Sequence, residues 1–178
     1  MAFLPEYQIV RKAQKPATRS DSPDAGSYRV IVFGMGAATA LAFPLAWVPA
    51  LRLPVAVQPL VFVIGLATLV AGSLLRRHCW RLLGASFTGD VRARPDQPIV
   101  STGAYAWVLH PSYSAGILMN TATGLALGSW ASAALLALVS FTAYSYRIAV
   151  EERTLLAVVG EPYLELMRTR RRLIPFIY

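Results

Sequence analysis

The chain has 178 residues, 56% of them hydrophobic and only 15% charged, and its mean hydropathy is +0.49. Charged residues make up about 25% of an average soluble domain, so an ordinary soluble fold is excluded and one integral membrane domain is expected. The net charge of +8 would suit nucleic acid, but the basic residues follow membrane topology, and one cysteine with two histidines excludes an internal disulfide and leaves no dedicated metal set.

Residues 1–29 are polar, hold Pro5, Pro16 and Pro23, and lack the apolar core of a signal peptide. They are read as a cytoplasmic arm, and residues 30–178 as a single membrane domain. A first helix is expected from about Tyr28 to Ala50. Its Gly34, Ala38 and Ala42 recur every four residues and permit close helix contact, while Pro44 is expected to kink it. The turn Pro49–Pro54 leads into a second helix that ends near Arg77. Residues 76–98 then stay on one side of the membrane. Arg81–Phe87 is expected to lie along the interface, and 92–98 to be an extended connector. Cys79 at this boundary is read as a packed thiol, with acylation as the alternative.

Residues 101–113 combine Gly103, the rings of Tyr105, Trp107 and Tyr113, and the pair His110-Pro111. Pro111 fits the first turn of a third helix, which runs to about Gly128. Ser112, Gly116, Asn120, Gly124 and Gly128 make one stripe of small and polar groups facing a partner helix. Asn120 is either glue between helices or a substrate contact. A fourth helix, 130–159, forms a hairpin with the third. It carries Arg147, Glu151 and Glu152 after a stretch without a charge between Gln97 and Tyr146. Gly160-Glu161-Pro162 breaks it, and a C-terminal amphipathic segment covers 161–178. The four tryptophans, at 47, 80, 107 and 130, fall at predicted boundaries as an aromatic belt would.

Arginine and lysine flank the two apolar stretches, while the presumed outer loops hold only Arg52. The positive-inside rule then puts both termini in the cytoplasm. The fold class expected is an all-α integral membrane protein with about four transmembrane helices plus interfacial and C-terminal helices.

Ionisable groups at a membrane edge need partners and often mark sites. Arg147 and Glu151 share a helix face. Carboxylates can hold ribose hydroxyls or an amino group, exposed amides before a helix can bind a carboxylate, and aromatic rings can face a sulfonium cation. Together these residues describe a pocket for a charged adenosyl cofactor at the membrane face.

The strings Thr102-Gly103-Ala104-Tyr105-Ala106-Trp107, His110-Pro111-Ser112-Tyr113, Glu151-Glu152-Arg153-Thr154-Leu155-Leu156, Gly160-Glu161-Pro162-Tyr163 and Leu173-Ile174-Pro175-Phe176-Ile177 resemble the blocks of the isoprenylcysteine carboxyl methyltransferase family, over roughly 75–178. The resemblance implies S-adenosylmethionine as methyl donor, S-adenosylhomocysteine as product, and a lipid-like or lipidated acceptor entering from the bilayer. It implies a donor pocket of Val100, Gly103, Tyr105, His110, Pro111, Tyr113, Glu151, Glu152, Tyr163 and Pro175. Arg147 would orient the acceptor, and Glu152 would be the base if the acceptor is an amine or hydroxyl. The family carries Arg before His-Pro where this chain has Leu109; Arg147 or Arg153 is expected to compensate, or the acceptor to differ. The site would face the cytoplasm, from the inner membrane of a bacterium or the endoplasmic reticulum of a eukaryote. Two other readings stand beside it. An NADPH-dependent sterol-type reductase shares the superfamily architecture, but the short chain and the lack of an extra basic pocket argue against it. A non-catalytic membrane scaffold rests on Leu109 alone.

Overall fold

The computed structural model describes residues 26–84 and 98–175. The expected arm up to residue 25, most of the connector, and Phe176-Ile177 lie outside the described residues. Among the described residues, the regular structure is helical: α1 Ser27–Trp47, α2 Gln58–Leu83, α3 Pro111–Ala126, α4 Trp130–Val158 and α5 Glu161–Thr169. Short 3₁₀ turns cover Pro49–Leu51, Val55–Val57 and Gly103–Ala106.

The helix ends follow local chemistry. α1 stops at Trp47, earlier than expected, because Val48 is extended and Pro49 opens a separate turn. α2 starts at Gln58, since Val55–Val57 forms its own 3₁₀ turn. It also runs past Arg77 to Leu83. Arg76 and Arg77 end the apolar run, but nothing in residues 78–83 breaks a helix; Gly84, with φ +51°, does. Arg81–Leu83 therefore continue α2, and 85–87 lie outside the described residues. Pro111 opens α3 as expected. The Ser129 hydroxyl caps α4 by accepting from the Ser132 amide at 3.2 Å.

α1 packs along α4, α4 along α3, and α3 along α2. The small residues make this possible. Ala38 and Ala42 meet Leu136 in the core, and Gly124 lies so close to the Ala133 backbone that a methyl group there has no space. At the Arg52 end the two hairpin turns are tied together. The Leu53 amide donates to the Gly128 carbonyl (2.8 Å) and the Ser129 hydroxyl to the Leu51 carbonyl (2.7 Å).

α1, Val55–Leu83 and α4 are each long and apolar enough to cross a membrane. Large apolar side chains such as Phe33, Leu60 and Val63 point outward from the first two, as lipid-facing residues do. α3 has 16 residues. At ~1.5 Å per residue it reaches only about 24 Å, short of a hydrocarbon core of ~30 Å. Trp47, Trp107 and Trp130 are exposed, which suits the aromatic belt. Trp80 departs from it: the ring is buried, with the Arg76 guanidinium 5.0 Å above its centroid. Cys79 is fully buried, so the packed-thiol reading holds.

Candidate functional site

The arginine-rich end of the bundle brings the start of α3, the last turns of α4 and the terminal strap 170–173 into one cluster. The strap is held by main chain: the Leu109 amide donates to the Arg171 carbonyl (2.8 Å) and the His110 amide to the Arg172 carbonyl (2.9 Å). Ser114 Oγ donates to the Leu173 carbonyl at 2.6 Å, and Arg170 Nη1 to the Tyr105 carbonyl at 2.6 Å.

Tyr113 is the hub. Its hydroxyl donates to Glu151 Oε2 at 2.7 Å and accepts from Arg147 Nε at 3.4 Å. Thus Arg147 and Glu151, four residues apart on α4, both converge on a ring from α3. Arg147 is 5% exposed, and its Nη1 also donates to Ser27 Oγ at the start of α1 (2.8 Å). The Tyr113 ring stacks with His110 (centroids 5.6 Å) and with Tyr144 (5.0 Å). The Tyr144 hydroxyl accepts from Arg76 Nη1 at 3.3 Å.

Glu152 points elsewhere. It is 5% exposed, and both oxygens are taken by the Arg172 fork. Oε1 also lies 3.3 Å from His110 Nε2. A carboxylate paired this way is a poor candidate for a free base.

The remaining expected residues divide. Tyr105, in the 3₁₀ turn, and Tyr163, on α5, are buried, and burial together with the charge of Glu151 pushes both hydroxyls above the ordinary tyrosine value. Gly103 has φ +60°, a left-handed conformation that glycine adopts without strain, and it faces the ends of the His78 and Leu82 side chains of α2. Pro111 is buried and Val100 half-buried in the coil before Gly103. Pro175 and Ile174 are exposed; among the described residues of this segment, Leu173 is buried and Arg170 and Arg172 bond to the protein. Leu109 is buried. Of the two arginines expected to compensate for it, Arg147 is in the cluster and Arg153 is exposed.

Sequence reasoning missed Arg76, Tyr144, Ser27 and Arg172 as members of the site. Arg76 left one signal: it is a guanidinium at the edge of an uncharged span, four residues before a tryptophan. Arg76 and Tyr144 also line a cavity of ≈ 320 Å³ with Met35, Leu69, Asn120 and Thr123. Its lining comes from α1, α2, α3 and α4. Asn120 donates to the Gly116 carbonyl of its own helix at 2.7 Å and faces this cavity. This bond is thus within its own helix and not to a neighbour.

Residues 63–157 match the isoprenylcysteine carboxyl methyltransferase (ICMT) family. A protein-S-isoprenylcysteine O-methyltransferase of Schizosaccharomyces pombe is 34% identical over 100 residues, 55% of this chain and 42% of that protein. Protein-S-isoprenylcysteine O-methyltransferase B of Arabidopsis thaliana is 30% identical over 115 residues, 64% of this chain and 58% of that one. The chain thus spans about half the length of the curated relatives it matches. The fold is similar to the solved structure of the eukaryotic intramembrane Ras methyltransferase ICMT, with TM-score 0.61, 23% identity, and coverage of 97% of this chain and 53% of that one. With a family match over more than half its length, three apolar helices of membrane-crossing length and the same fold, the chain belongs to the isoprenylcysteine carboxyl methyltransferase family as an integral membrane protein.

Proposed function

We propose that the protein transfers a methyl group from S-adenosylmethionine to the carboxylate of a lipophilic or lipidated acceptor, at the cytoplasmic edge of the membrane. When bound, the donor supplies an already activated methyl group on a sulfonium. The observation that carries the reading is the pair of guanidiniums joined through stacked rings. Arg147 meets Tyr113, Tyr113 stacks on Tyr144, and Tyr144 meets Arg76 at the wall of a mostly apolar cavity. Arg76 at the wall of a hydrocarbon slot, with the buried Arg147 one ring stack away, suits an anion that carries a lipid tail.

The donor side would be Glu151, Tyr105, Tyr113, Tyr163, His110 and the Gly103 turn, with Val100 and Pro111 framing it. Glu151 is the carboxylate available for a hydroxyl or amino group, and the aromatic rings around it can face a sulfonium. This donor set fits an adenosyl group and its amino acid better than it fits a dinucleotide. The chain's own part in the reaction is binding, orientation and exclusion of water. Arg147 and Arg76 hold the acceptor anion in line, and no side chain needs to remove a proton. The engagement of Glu152 by Arg172 and His110 supports a carboxylate acceptor over an amine or hydroxyl, for which Glu152 would have been the base.

The test is methyl transfer in reconstituted membranes, with labelled donor and an S-prenylated cysteine offered with a free carboxylate or as its carboxamide. Base-labile label in the free acid alone is the expected result. Failure of the purified protein to bind S-adenosylhomocysteine while binding NADPH would move it to the reductase reading.

A further inference from the structure

Glu152 is a nearly buried carboxylate with both oxygens engaged from one direction. Arg172 Nε lies 2.9 Å from Oε1 and 3.0 Å from Oε2, and Nη2 lies 2.9 Å from Oε2. A guanidinium makes such a fork and an ammonium cannot. Oε1 is shared with His110 Nε2. An ionised carboxylate only accepts, so Nε2 carries a proton, and Nδ1 of a neutral His110 ring is left as an acceptor. The Arg172 main chain grips the same residue, because its carbonyl accepts from the His110 amide. Arg172 therefore holds His110 twice, once through backbone and once through Glu152.

The two grips are separable. The strap is docked by its carbonyls at 171, 172 and 173 and by the Arg170 side chain. None of these bonds uses the Arg172 guanidinium. That side chain is 41% exposed while Glu152 is 6% exposed, so the fork sits at the solvent edge and can be removed without emptying the core.

We infer that Arg172 is a positioning residue of the methyl-donor pocket: its fork fixes the Glu152 carboxylate, and Glu152 fixes the ring and protonated nitrogen of His110. The consequence for donor affinity rests on the donor site proposed above; the grip on His110 does not.

The test compares Arg172→Met, which keeps most of the aliphatic stem, with Arg172→Lys, which keeps the charge but not the fork. Arg168→Met is the control, since Arg168 sits in an exposed pair with Glu161. The chain has two histidines, His78 and His110, so ring ¹⁵N spectra of histidine-labelled protein resolve them individually. In Arg172→Met the His110 signals are expected to move toward those of a free imidazole while His78 stays in place. Affinity for S-adenosylhomocysteine is expected to fall about tenfold or more, as loss of a charged hydrogen-bond pair implies. Arg172→Lys should recover part of both effects, and Arg168→Met should change neither. The Lys variant also answers the question if the Met variant does not fold. Unmoved His110 signals in both Arg172 variants would overturn the inference. So would moved signals with affinity retained within about twofold. If the wild-type protein itself does not bind S-adenosylhomocysteine, the donor reading fails, and the histidine spectra still decide whether Arg172 positions His110.

Discussion

The Tyr113 hydroxyl and the Glu151 carboxylate lie 2.7 Å apart across the α3–α4 contact. This bond ties the His-Pro turn to the glutamate pair, and the same hydroxyl receives Arg147. Tyr113→Phe removes the bonds and keeps both ring stacks. It should weaken S-adenosylhomocysteine binding by about 1–2 kcal/mol, with the helical circular dichroism unchanged. Calorimetry on the detergent-solubilised protein checks this.

Arg147 tests the difference between scaffold and chemistry. It is buried and holds Ser27 as well as Tyr113. Ser27→Ala should lower stability by about 1.5–3 kcal/mol, the usual worth of a hydrogen bond to a charge, and leave measurable methyl transfer. Arg147→Met should abolish transfer in the labelled-donor assay. Thermal melts and the transfer assay on the same two preparations separate the effects.

Asn120 and Arg76 face one cavity, and neither touches Glu151 or Glu152. Asn120→Leu and Arg76→Met should therefore raise the KM for acceptor while leaving donor affinity within about twofold. Equal losses of donor and acceptor binding would contradict the assignment of the cavity to the acceptor.

Alkaline pH gives a separate reading of Tyr105 and Tyr163. Their hydroxyls titrate above the ordinary value of 10.0 in the folded protein. Above pH 10 the unfolded chain loses these protons while the folded one keeps them, so stability is complete below that pH and falls as pH rises past it. Tyr105→Phe and Tyr163→Phe should each flatten the decline between about pH 10 and 11, as read from thermal melts.

Much of the site was legible because its members are near one another in sequence or lie on one helix face. His110, Pro111 and Tyr113 open α3, and Arg147 and Glu151 are one turn apart. The hairpin implied by the short Gly128-Ser129 turn then brings the two sets together. Ser27 and Arg76 were not legible. They reach the cluster across 120 and 68 residues, and no local pattern encodes which helices become neighbours. Arg172 hid among its basic neighbours, since composition cannot tell which guanidinium meets a buried carboxylate. The fold shows the same division. The apolar stretches located the helices, while the true end of α2 depended on Gly84 and not on the charges at Arg76 and Arg77.

The length of α3 has a geometric consequence. It is tethered at its far end by Gly128 to Leu53, and at 16 residues it does not fill the depth that its neighbours span. Its first turn, with Tyr113, therefore stops short of the ends of α2 and α4, which run on to Leu83 and Val158. On the function proposed above, the step in height this leaves would let a water-soluble donor approach from above and a lipid-borne acceptor from the side. Neither has to leave the phase in which it dissolves.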